Sequence, residues 1–107
     1  MCAFIQMFLL APSVARADGA ATYAATCVAC HGPSGHGDGV AAAALPTKPS
    51  NFSDPAFWAA RKDDQVKKAI REGGASVGKS PMMAPNPQLT DAQLNELVAY
   101  LKTFKGK

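Results

Sequence analysis

The sequence predicts an all-α domain of three to five helices wrapped around something central. Three observations carry that reading. Leu94, Leu97, Val98, Leu101 and Phe104 form an apolar stripe at helical spacing near the C-terminus. No stretch alternates apolar and polar residues for long enough to suggest a sheet. The longest segments without a helical signal are rich in Gly and Pro, which suits loops that cross over a central group rather than strands.

The elements follow in order. Residues 1–17, "MCAFIQMFLLAPSVARA", open with an apolar run too short to span a bilayer comfortably. Ala15 and Ala17 stand at the small-residue positions of an export cleavage site, so 1–17 is expected to be a signal peptide and 18–107 the folded domain. No Lys or Arg precedes the apolar run. Cleavage before Asp18 would remove Cys2, Met7 and Arg16, leaving Cys27 and Cys30 as the cysteines.

Gly19 to His31 is Ala-rich and reads as one helix, with Tyr23, Cys27 and Cys30 on a shared face. Glycines from Gly32 to Gly39 end it in a loop. Pro46, Pro49 and Pro55 make the next segment extended and turn-rich, and a short helix carrying Phe57 and Trp58 starts near Asp54. A firmer helix spans about Asp63 to Glu72, with Asp63 as its cap, Val66, Ala69 and Ile70 as its apolar stripe, and Gly73–Gly74 as its stop. The stretch 75–89 holds three prolines and two adjacent methionines and reads as a loop. Thr90 and Gln93 then form a capping box for the last helix.

Composition narrows the function classes. The chain has 107 residues, 48% of them hydrophobic and 18% charged, with a net charge of +3. That size favours a single domain, one small enough for a large apolar cofactor to help fill its core. The basic residues are scattered and balanced by nearby acids, so no nucleic-acid partner is expected.

The densest chemistry is "CVACHGPSGHGDG", Cys27 to Gly39. Cys-x-x-Cys-His is the attachment signature of c-type haem. Cysteines three apart on a helix each add to one haem vinyl group, and His31 follows directly, placed to ligate the iron. A thioredoxin-like dithiol needs a βαβ context that this chain lacks. Zinc would have to crowd Cys27, Cys30, His31 and His36 into one short segment.

A second axial ligand must come from the opposite side. His36 lies only five residues past His31, too near to reach the other face, and reads as a loop residue. Met82 and Met83 lie in a distant proline-bound loop that can wrap across, and a neutral thioether there favours reduced iron.

With Cys30-His31-Gly32 followed by Gly35, Gly37, Asp38 and Gly39, residues 18–107 resemble the monohaem class I c-type cytochromes, modules that occur as free carriers and as cytochrome domains of oxidases and periplasmic dehydrogenases. The resemblance implies a small cytochrome c fold around one covalently bound haem c. It implies that the first helix, through Gly19 and Tyr23, packs on the last through Leu97, Tyr100 and Leu101. It implies a proline carbonyl that orients the proximal histidine, matched here by Pro49, with Pro46 as the competitor. Met83 is the implied distal ligand with Met82 as the alternative, because "MAP" displaces by one the proline that usually follows the methionine. Phe52, Phe57 and Trp58 are expected to wall the pocket. Trp58 has two readings, core packing or an N–H bond to a propionate, and Arg61 and Lys62 lie either near the propionates or on a solvated helix start.

The expected function is one-electron transfer without substrate turnover, in the periplasm, as a monomer. The expected partners are redox proteins: an oxidase, a dehydrogenase or other cytochromes, with membrane contact only through them. Two rivals remain at this point, a gas-binding or sensor protein with an open distal site, and an electron-entry subunit of a larger oxidoreductase.

Overall fold

In a computed structural model of the chain, residues 18–107 are described. The signal-peptide reading of 1–17 lies outside them, as does Met7. Among the described residues there are five α-helices and no strand: α1 (Gly19–Thr26), α2 (Val28–His31), α3 (Pro55–Ala60), α4 (Asp63–Glu72) and α5 (Asp91–Lys102). Short 3-10 turns occupy Ala42–Ala44 and Gly74–Val77. No described helix is long and apolar enough to cross a membrane.

The first helical segment departs from the sequence expectation. Gly19 to His31 is not one helix; it breaks at Cys27, whose backbone leaves helical geometry (φ −120°, ψ −29°). Two local causes are visible. The Thr26 hydroxyl donates back to the Thr22 carbonyl at 2.7 Å, a bond that bends helices. Thr26 and Val28, both β-branched, flank the break and are stiff in a helical turn.

The other caps follow the side-chain chemistry. Asp18 accepts from the Ala20 and Ala21 amides and starts α1. Asp54 caps α3, with Pro55 in the first turn where no amide donor is needed. Thr90 and Gln93 close the expected box on α5. Asp63 does not cap α4; the N-cap is Lys62, whose amide donates to the Gln65 carboxamide at 2.9 Å. Asp63 lies in the first turn, favourable against the helix dipole, and pairs with Lys102 of α5 at 2.8 Å.

The core is the α1–α5 crossing, extended by α4. Tyr23, Val66, Ile70, Leu94, Leu97, Val98, Leu101 and Phe104 are buried, Leu97 completely. Gly19 lets the two helices meet, since a Cβ there would run into the Glu96 carbonyl. Tyr23 sits 5.4 Å from both Tyr100 and Phe104, and its hydroxyl donates to the buried Gly32 carbonyl. One ring therefore fixes the terminal helices to each other and to the glycine loop behind His31.

Candidate haem site

His31 ends α2 and is half-buried. Its Nδ1 lies 3.1 Å from the Ser50 carbonyl oxygen. A carbonyl can only accept, so Nδ1 carries the proton and the neutral ring presents a lone pair at Nε2. Burial pushes its pKa below the ordinary histidine value, against the smaller opposing effect of the Ser50 bond. A neutral imidazole with one nitrogen tied back is a ligand held ready for a metal.

The acceptor corrects one expectation. It is Ser50, not Pro49, and not Pro46. Pro49's carbonyl is directed instead at Gly37, where an added Cβ would collide with it. Gly37 has φ +81° and its amide donates to the His31 carbonyl at 2.8 Å. The glycine loop thus clamps the 49–50 backbone against His31.

The His31 ring stacks on Phe52 at 4.5 Å and 21° between planes. Phe52 is fixed by its amide bond to the Gly35 carbonyl at 2.7 Å and by Phe57 against its edge at 5.3 Å. Trp58 packs beside these two rings, 4.8 Å from Phe57 and 6.2 Å from Phe52. Phe52 and Phe57 line the cavity beside His31, whereas Trp58 is not among the lining residues. Its indole N–H donates to the Phe52 carbonyl at 2.8 Å. Trp58 supports the wall from behind, and its donor is already used within the chain.

The cavity has a volume of about 320 Å³. Phe52, Phe57, Val66, Ala69, Ile70, Val77 and Leu101 supply apolar lining, joined by His31 and, from the 80–89 segment, by Met83. Met83 is half-buried and packs on the core; Met82 is 56% exposed and is not among the lining residues. Arg61, Gln65 and Lys79 add polar groups to the lining. Arg61 is held 4.3 Å over the Phe57 ring, while Lys62 is not part of the lining.

Cys27 and Cys30 are free thiols on the turn that leads into His31, both half-buried. Burial pushes the Cys27 thiol pKa up despite the nearby Thr26 hydroxyl, so it is held protonated rather than as a reactive thiolate. His36 is half-buried in the glycine loop and does not reach the cavity. Among the described residues no group of three or more His, Cys, Asp or Glu side chains is placed to hold a metal ion.

Several contributors carried no usable sequence signal. Ser50 acts through its backbone and Lys79 is one lysine among many. Gly73–Gly74 reads as a helix stop, but also makes room for the methionine segment: the Gly74 amide donates to the Met83 carbonyl at 3.0 Å, and a Cβ on Gly74 would strike the Ser80 carbonyl.

A helical shell around an apolar cavity, a histidine with one nitrogen tied to the backbone, and a Cys-x-x-Cys turn before it suit a covalently held haem; this is the architecture of an electron-transfer haem protein. The chain belongs to the cytochrome c family, whose model matches residues 16–105. Among solved structures it is similar to the KustC0563 c-type cytochrome, at 28% identity and a TM-score of 0.66, covering 82% of this chain and 98% of that one. It is also similar to a chain of the Kuenenia stuttgartiensis reducing HAO-like protein complex Kustc0457/Kustc0458, at 27% identity and a TM-score of 0.65, covering 81% of this chain and 41% of that one. A comparison with curated protein sequences found no match.

Proposed function

We propose that the chain carries single electrons between redox proteins, using one haem c held by Cys27 and Cys30, with His31 and Met83 as axial ligands. Bound haem supplies the reversible Fe(II)/Fe(III) change. The protein's residues do the rest. His31 offers Nε2 because Ser50 holds Nδ1, and Phe52 fixes the ring plane. The aromatic and aliphatic walls exclude water, and the Met83 thioether, as a ligand of the iron, would favour the reduced state. The observation that carries this reading is that His31 and Met83, far apart in sequence, line one apolar cavity while Met82 lies outside it.

The test is a redox titration with spectra for wild type, Met82→Ala and Met83→Ala. Met83→Ala is expected to lose the weak red absorption band of thioether-ligated ferric haem and to fall in potential, with Met82→Ala close to wild type. A wild type that is high-spin and binds CO readily when reduced supports the gas-binding reading instead.

The same proposal places the mature protein, residues 18–107, in the periplasm after removal of 1–17; N-terminal sequencing of the purified protein tests the cut before Asp18. A second reading, the electron-transfer subunit of a larger oxidoreductase, is favoured by the similarity to a chain of the HAO-like complex. Co-purification of a stable partner under native conditions supports it, and a monomer that exchanges electrons with several acceptors supports the free carrier.

A further inference from the structure

The segment 80–89 is held from outside by the Gly74 amide on the Met83 carbonyl at 3.0 Å, by Arg71 on the Leu89 carbonyl at 3.3 Å and by the buried Leu89 side chain, and its own donors are few. Pro81, Pro85 and Pro87 have no amide donor. The Met82 and Met83 amides donate within the segment, to the Ser80 hydroxyl and the Ser80 carbonyl, and the Leu89 amide donates to the Asn86 carbonyl. Among the described residues, Asn86 is the residue of this segment that donates hydrogen bonds to the rest of the protein. Its amide reaches the Ile70 and Arg71 carbonyls at 3.0 and 3.1 Å. Its side-chain Nδ2 reaches the Ile70 carbonyl at 3.1 Å and the Ala84 carbonyl at 3.4 Å.

These acceptors lie in the last turn of α4, where helical carbonyls lack partners within the helix. Asn86 caps that end from a distant part of the chain. Ala84 is the residue next to Met83, and Ile70 is a wall of the cavity. One carboxamide therefore links the backbone beside Met83 to the carbonyl of Ile70, another residue lining the same cavity.

We propose that Asn86 is a positioning residue for Met83, setting how readily the thioether yields its place to another neutral ligand. The proposal rests on the reading of Met83 as the distal ligand. A small neutral ligand binds only the fraction of molecules in which the thioether has swung away, so its apparent affinity reports that fraction. Removing the side-chain bond while keeping the backbone bonds loosens the segment without deleting the ligand.

The experiment is imidazole titration of the ferric haem-loaded protein, followed by loss of the red thioether band, in wild type, Asn86→Ala, Asn86→Asp, Met83→Ala and Asp18→Ala. Loss of one hydrogen bond of ordinary net strength corresponds to about a fivefold to tenfold change in an equilibrium. Asn86→Ala is expected to keep the band before titration and to bind imidazole about that much more tightly. Asn86→Asp removes the Nδ2 donor and is expected to shift the same way, which keeps the test available if the alanine variant folds poorly. Asp18→Ala removes a cap on α1 at comparable cost to stability but is expected to bind imidazole as wild type does, which separates positioning from general destabilisation. If the Asn86 variants bind imidazole no more tightly than Asp18→Ala, while Met83→Ala lacks the band, the positioning role is overturned and the ligand assignment stands. If Met83→Ala keeps the band, both are overturned.

Discussion

The imidazole of His31 and the backbone carbonyl of Ser50 are joined at 3.1 Å, so the orientation of the ring depends on main chain rather than on any side chain at position 50. Ser50→Ala should leave the visible spectrum unchanged and stability within about 0.5 kcal/mol of wild type. The sensitive position is Gly37. With φ at +81° and the Pro49 carbonyl in the path of a Cβ, Gly37→Ala must strain its backbone or push residues 49–50 away from His31. The expected cost is about 1–3 kcal/mol, read as a lower denaturant midpoint, with an altered haem spectrum. A Gly37→Ala protein as stable as wild type would refute the clamp.

Tyr23 supplies a second prediction, with a pH signature. Its hydroxyl donates to the buried Gly32 carbonyl, which also accepts from the Gly35 amide at 3.2 Å, so Tyr23→Phe removes one of two bonds to that oxygen at a cost of about 0.5–1.5 kcal/mol. Burial, with smaller help from the charges of neighbouring groups, raises its pKa above the ordinary tyrosine value. A group whose folded pKa is raised contributes stability that is complete below the unfolded pKa and is lost as pH rises through the folded one. Wild type should therefore lose stability above about pH 10 more steeply than Tyr23→Phe. Urea melts of both proteins from neutral to alkaline pH check this; parallel curves would mean that the hydroxyl does not titrate with unfolding.

Much of this architecture is legible in the sequence, and the residues show why. The α5 stripe and the Thr90–Gln93 box are local patterns, so each was readable from its own neighbours. Cys27, Cys30 and His31 form a contiguous motif. What was not legible depends on relations between distant backbones. The resemblance implies Pro49, but the carbonyl that meets His31 belongs to Ser50, one residue further along the same backbone. The resemblance puts Trp58 beside the pocket, but that its N–H donates to the Phe52 carbonyl depends on a main-chain position no local pattern shows. The break at Cys27 turns on a hydroxyl folding back from Thr26 to Thr22, a bond that Ala-rich composition conceals.

Two residues at the start of α5 separate hydrogen bonding from surface charge. Thr90 accepts from the Gln93 amide at 3.1 Å, and Thr90→Ala should cost about 1 kcal/mol. Asp91 pairs with Arg71 at 2.7 Å but is 88% exposed. Its carboxyl pKa is lowered, first by the hydrogen bond and then by the charge of Arg71, so what stability the pair adds is present above the ordinary carboxylate range and fades as pH falls through the lowered pKa. Solvent screens such a pair, and Asp91→Asn should cost less than Thr90→Ala at neutral pH. Denaturant melts of the two variants give the comparison, and a larger loss for Asp91→Asn would reverse the ranking.

Arg61 and Lys79 give the last prediction, because they bring positive charge to a cavity whose other lining is mostly apolar. Neither has an ion-pair partner among the described residues; the pairs formed there are Arg71–Asp91 and Lys102–Asp63. Arg61 is further constrained by the Phe57 ring beneath it. A nearby cation disfavours the oxidised, more positive iron, so removing it should lower the reduction potential. Each charge at the edge of solvent acts with an energy on the order of 1 kcal/mol or less, and salt weakens it further. Arg61→Gln and Lys79→Gln should each lower the potential at low ionic strength, their effects should add in the double variant, and the differences should shrink in high salt. Lys62→Gln is the matched control, since that side chain is exposed and outside the lining, and it should move the potential less. Potentials from spectroelectrochemical titration at two salt concentrations decide it: a Lys62→Gln shift equal to that of Arg61→Gln would mean that only net charge matters, not the placement of Arg61 over Phe57.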